Sequence, residues 1–87
     1  MTRKLIVVLE DNAERVEAIN RAIQSHLRLQ GERSVTAVDA ARWLDSDGLL
    51  KDSSIRPGLP LRQLLRAGSI LGQRQESNGR WFIDLCS

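Results

Sequence analysis

The chain predicts an α+β fold in one small domain, and three features carry that prediction. The run KLIVVLE at residues 4–10 is apolar and rich in β-branched side chains, as a buried strand would be. Three later segments place Leu, Ile, Val or Ala at helical spacing. Asn78-Gly79 then separates two short strand-like segments, the strongest short hairpin signal, because a type I′ turn needs positive φ at both central residues. The expected order is an N-terminal strand, three helices and a C-terminal β-hairpin, with all 87 residues in a single domain.

Taken in order, the first strand should occupy residues 5–9 and, being apolar throughout, needs neighbours on both faces. Pairing with the hairpin, or with a second copy as a dimer edge, would supply them. Asp11 then resembles an N-cap, with Glu14 completing a capping box. The helix that follows covers roughly residues 12–29. It buries Val16, Ile19, Ile23 and Leu27, exposes Arg15, Glu17, Asn20, Arg21 and Gln24 to solvent, and stops at Gly31. His26, late in this helix, reads as a solvated residue favoured by the helix dipole.

Ser34-Val35 suits a very short strand. Thr36 and Asp39 form a second capping box for a helix burying Ala37, Ala40, Ala41 and Leu44. Trp43 should cover the core edge, while Leu49 and Leu50 pack back inward after Gly48. Asp45 and Asp47 read as solubilising residues in a helix-terminal turn. Residues 51–59 are a loop with a Pro57-Gly58 turn. Pro60 fits the first turn of a third helix whose Leu61, Leu64 and Leu65 face the core. Gly68 closes that helix. In the last strand, Trp81 and Ile83 share one face and Phe82 takes the other.

Charge is informative mainly in its distribution. Residues 1–47 carry seven Lys/Arg against eight Asp/Glu, and residues 48–87 six against three, so the net +2 arises in the second half. This is a mild cationic footprint, short of a polybasic nucleic-acid tail. One Cys and one His, with no clustered ligands, argue against a disulfide framework, a metal site or a Cys/His nucleophile, and no cofactor is expected. Cys86 has no basic neighbour in sequence and reads as inert. No catalytic constellation emerges, so the chain is not expected to be an enzyme. The apolar run is too short to span a bilayer, which makes the cytoplasm the expected location and a membrane an unexpected partner.

Apart from the first strand, the element order is that of a winged helix, with a core over about residues 11–85. The segments VTAVDAARWL, PLRQLLRAGSILGQRQ and NGRWFI resemble the MerR and excisionase-like class of winged helix-turn-helix domains. Ala40-Ala41, Leu44, Leu65-Arg66-Ala67-Gly68, Gly72 and Arg80-Trp81-Phe82-Ile83 occupy that class's characteristic places, and the match covers residues 35–83. Two departures stand out: residues 45–59 replace the tight turn between the two helices, and the recognition helix starts at Leu59-Pro60 rather than at a Ser or Thr cap. The opening IVVLEDN also resembles the start of a phosphoacceptor receiver domain. The chain lacks the length and repeat of that fold, and Glu10-Asp11 reads better as a helix start.

The winged-helix resemblance implies an accessory or regulatory factor that binds double-stranded DNA through helix 60–67 and hairpin 69–85. A homodimer or a partner protein would add affinity, because one small module buries limited surface. Arg62, Gln63 and Arg66 are the candidates to read base edges, Arg against guanine and Gln against adenine; the alternative is a solvated helix face. Arg74 and Arg80 flank the hairpin tip and are candidates for phosphate or minor-groove contact. Their alternative is cross-strand pairing with Glu76 or Asp84. The same fold also serves as a protein-interaction module, which is the second functional expectation.

Overall fold

The computed structural model describes residues 2–86, with side chains over residues 13–86. The described elements are α1 (Thr2–Gln30), β1 (Ser34–Thr36), α2 (Ala37–Ser46), α3 (Leu59–Arg66), β2 (Gln73–Gln75) and β3 (Trp81–Asp84). The strands form one antiparallel sheet in the order β1-β3-β2, with Val35 opposite Ile83 and Arg74 opposite Phe82.

The N-terminal strand expected at residues 4–10 does not form, because α1 runs through it as one 29-residue helix. Residues 2–30 contain no Gly and no Pro, so nothing interrupts a helix once it is nucleated. Ile and Val cost only tenths of a kcal/mol each at helical positions. Five adjacent apolar residues carry neither a strand nor a helix period, so the run itself could not decide. Glu10 and Asp11 therefore lie inside a helix, and neither a capping box nor an acidic strand end exists there. The expected pairing of residues 5–9 with the hairpin, and the dimer edge built on that strand, fall with it.

The core draws on every element except β2. Ile19, Ile23 and Leu27, one helical turn apart on α1, pack with Ala37, Ala40, Ala41 and Leu44 of α2, Leu61 and Leu65 of α3, and Val35, Ile70 and Ile83. Leu64 packs against this cluster but is only half-buried. It sits roughly 80° round the helix from the line between Leu61 and Leu65. The Thr36 hydroxyl accepts the Asp39 N–H at 3.2 Å, so the predicted cap of α2 is formed. The ring of His26 is stacked on Trp43, with centroids 4.9 Å apart, and its Nε2 lies 2.9 Å from Asp47 Oδ2. His26 and Asp47 thus tie α1 to the end of α2 instead of merely facing solvent.

Asn20 and Gln24 also depart from the expected solvated face. Asn20 Nδ2 donates to the Ser69 carbonyl at 3.1 Å, and its Oδ1 accepts the Leu71 N–H at 2.8 Å. One turn on, Gln24 Nε2 donates to the Asp84 carbonyl at 3.1 Å and Oε1 accepts the Cys86 N–H at 2.8 Å. Gln24 is 4% exposed, the one buried polar side chain among the described residues. These bonds satisfy backbone groups at the ends of β3 and of the α3–β2 connection, which have no ladder partners there.

The connection closes tightly on itself. Gln73 Oε1 accepts the Ile70 N–H at 3.0 Å while its Nε2 donates to the Leu65 carbonyl at 2.7 Å, fixing β2 to the end of α3. Gly72 has φ +82, and a Cβ there would run into the Asp84 carbonyl oxygen. The hairpin turn differs from the type I′ form. No non-glycine residue has positive φ among those described, so Asn78 is not left-handed. Gly79 N–H donates to the Glu76 carbonyl at 2.8 Å, Glu76 N–H donates to the Arg80 carbonyl at 2.9 Å, and Gly79 has φ +87. This is a type I turn over residues 76–79 with a bulge at Gly79. Asn78 instead accepts the Arg80 N–H on its own Oδ1 at 3.0 Å, which favours that arrangement.

Replacing Gln24 by Leu keeps side-chain volume but leaves the Asp84 carbonyl and the Cys86 N–H without partners. We expect a loss of roughly 1–3 kcal/mol for each stranded group. In a domain of this size each kcal/mol lowers the thermal midpoint by about 4–8 °C. Arg28→Ala, one turn further along and exposed, should leave the midpoint nearly unchanged. Equal midpoints for both variants would show that the Gln24 bonds hold nothing.

Candidate functional site

The α3 helix and the hairpin stand side by side across one groove. About 530 Å³ in volume, it is lined by residues 36–39 at the start of α2, by Arg62 of α3 and by residues 78–82 of the hairpin. Three features of the sequence produce it. Leu61 and Leu65 pull α3 onto the core, which leaves Arg62 and, one turn on, Arg66 at the side. The Gln73 bridge sets the hairpin against the end of α3. The pairing of β3 with β1 then brings Trp81 and Phe82 alongside Thr36.

The sequence-predicted residues divide into three groups here. Arg62 lines the groove, half-buried, and its Nε is shielded from solvent without a hydrogen-bond partner. Arg80 lines the same groove from the hairpin and is exposed. Gln63 and Arg66 are exposed on α3, but Gln63 faces away from the groove and instead borders an apolar trough with Val16, Ile19, Leu50, Pro60 and Leu64. Among the described residues, Arg62, Arg66 and Arg80 have no carboxylate within 4.0 Å; the ion pairs fall elsewhere. Asp39, the carboxylate lining the groove, is 3.8 Å from Arg42.

Arg74 is in a different situation. Its Nε and Nη2 donate to the two oxygens of Asp84 at 2.9 and 3.2 Å, and Nη1 donates to Glu76 at 3.1 Å. The guanidinium also lies 5.0 Å from the centre of the Phe82 ring, directly across the strands. The hydrogen bond that Arg74 donates to Asp84 is the main influence raising the Arg74 pKa above its ordinary value, and desolvation opposes it. The charge is therefore permanent and already neutralised by two carboxylates. Cross-strand pairing, the alternative open in the sequence, is what Arg74 does.

The loop between α2 and α3, residues 47–58, leaves Gln63 and Arg66 uncovered. Comparisons with protein-family models, curated proteins and solved structures give no significant match. No group of three or more His, Cys, Asp or Glu among the described residues is arranged to hold a metal ion. No helix among them is long and apolar enough to cross a membrane.

Sequence reasoning missed Asn20 and Gln24, because an i, i+4 pair of amides on a helix looks the same whether it meets water or backbone. It also missed the lone Nε of Arg62, which depends on tertiary packing that no local pattern encodes. Arg74→Ala should loosen the hairpin locally: amide exchange at Arg74 and Phe82 should quicken while protection at Ile23 and Leu65 holds. Unchanged exchange in the strands would mean that the Arg74 network does not order them.

Proposed function

We propose that the chain is a small winged-helix protein that binds duplex DNA across the face formed by α3 and the hairpin. One observation carries this reading: Arg62 and Arg80 line one groove, Arg66 is exposed one turn along α3, and among the described residues none of the three has a carboxylate within 4.0 Å. Cations left unpaired along a groove attract a polyanion and release its counterions on binding. The succession helix, strand, helix, helix, strand, strand and the sheet order β1-β3-β2 support the winged-helix part of the proposal.

Within this reading each residue has a distinct task. Arg66, exposed on α3, meets base edges in the major groove, while Gln63, turned to the apolar trough, takes no part. Arg62 in the groove and Arg80 on the hairpin hold phosphates. Arg74 keeps the hairpin in position and makes no contact with DNA. The apolar trough of about 430 Å³ beside Leu50, Pro60 and Leu64 favours a second reading, a protein-interaction module on the opposite side of α3. Both readings are non-enzymatic, and in both the protein works in the cytoplasm.

Fluorescence anisotropy with selected and random duplexes over a range of salt tests the proposal. Arg80→Ala should weaken binding about equally on every duplex and reduce the salt slope by roughly one. Arg66→Ala should cost about 1–3 kcal/mol on a selected site and relax its sequence preference. Arg74→Gln should leave the slope unaltered. Identical losses on selected and random duplex for Arg66→Ala would exclude base reading by α3. If the unchanged chain fails to bind duplex at low salt, the protein-interaction reading takes its place.

A further inference from the structure

The connection between α2 and α3 is long for two helices that meet at a corner, yet it is firmly built. Asp52 N–H donates to Asp45 Oδ1 at 3.2 Å. The Asp52 carboxylate in turn accepts the Ser53 N–H at 2.9 Å and the Gly58 N–H at 2.8 Å. Ser53 Oγ accepts the Arg56 N–H at 3.0 Å, and the Leu59 N–H donates to the Arg56 carbonyl at 3.1 Å. Gly58, buried with φ +87, packs so closely on Val38 that a Cβ would lie 3.3 Å from its Cγ2. Both ends of the loop are pinned, and a carboxylate is committed to holding its shape.

This frame presents side chains that a connecting loop has no need to present. Ile55 is 88% exposed, the most exposed large apolar residue among those described. Lys51 and Arg56, also exposed, have no carboxylate within 4.0 Å. Of the loop's two carboxylates, Asp47 is held by His26 and Asp52 is turned onto backbone N–H groups, so the surface at residues 51–56 presents two cations around an apolar side chain. Its position is equally specific. Gly58 rests on Val38, and Val38 and Arg62 both line the groove. The C-terminal end of the loop, at Gly58, therefore stands beside the groove where α3 begins.

We infer that residues 51–56 are a third DNA-contacting element, resting on the duplex-binding reading of the α3 and hairpin face. Lys51 and Arg56 neutralise phosphates beyond the N-terminal end of α3, and Ile55 makes apolar contact with the sugar and base edges between them. The pinned loop meets the duplex already ordered, so little conformational entropy is lost on binding. It extends the footprint of a single small module and offsets the limited surface such a module buries.

The test uses the full chain, a fluorescent random-sequence duplex and a salt titration, with thermal melts to confirm folding. Ile55→Ser and Arg56→Ala should each weaken binding by about three- to tenfold without lowering the thermal midpoint. Arg56→Ala should also reduce the salt slope by roughly one, whereas Ile55→Ser should leave it as it was, because an apolar contact releases no counterion. If both variants bind as the unchanged chain does, the loop is not a contact, and the α3 and hairpin reading survives alone. If the unchanged chain does not bind duplex at all, both proposals fail together. Sedimentation in which the unchanged chain self-associates and Ile55→Ser does not would assign the loop to a second copy, overturning its role on DNA.

Discussion

Two amides one turn apart on α1, Asn20 and Gln24, decide where the sheet lies. Each uses both its donor and its acceptor on backbone groups, Asn20 on the segment after α3 and Gln24 on the end of β3. Apolar burial alone would let a three-stranded sheet of such short strands slide over α1, since hydrophobic contact has no direction. Hydrogen bonds to particular carbonyls and N–H groups do have direction. They fix residues 69–71 and 84–86 to the same stretch of helix, and the hairpin has to emerge beside α3. The groove between α3 and the hairpin follows from that placement. Gln73, bonded to both Ile70 and Leu65, then fixes the start of β2 to the end of α3.

Electrostatics divide the arginines by the same geometry. Arg74 lies opposite Phe82 and within reach of Asp84 and Glu76, so its charge is consumed in shaping the hairpin. Arg62, Arg66 and Arg80 have no such neighbours and remain available to an anionic ligand. The asymmetry arises from strand alternation and helical periodicity acting on a chain whose net charge is only +2. A protein with so little overall charge gains attraction for a polyanion only where cations are gathered and left unpaired.

Much of this was legible in the amino-acid sequence, for stated physical reasons. Leu61 and Leu65, the Ala37, Ala40, Ala41 and Leu44 face, the Thr36 cap and the helix stop at Gly31 each follow from local periodicity or capping, and each is present. Residues 4–10 do not form the expected strand: five apolar residues in a row have no period, and a chain without Gly or Pro from residue 2 to residue 30 continues as one helix. The hairpin was located correctly at Asn78-Gly79, but its turn type depended on Asn78 accepting from Arg80. Asn20, Gln24, His26 and Asp47 look solvent-facing in the sequence because their partners are distant along the chain. Of the five candidate residues, Arg62 and Arg80 meet at one groove, Arg66 lies one turn along, Gln63 looks elsewhere and Arg74 is already paired.

A titration of the isotope-labelled chain with a random-sequence duplex at low salt, followed by amide chemical shifts, reaches the central claim most directly. The account predicts progressive shifts at Leu59–Arg66, at residues 77–82 and in the loop before α3, with residues 20–25 of α1 unmoved. Absence of any shift, or shifts confined to the trough around Val16, Leu50 and Leu64, would contradict it.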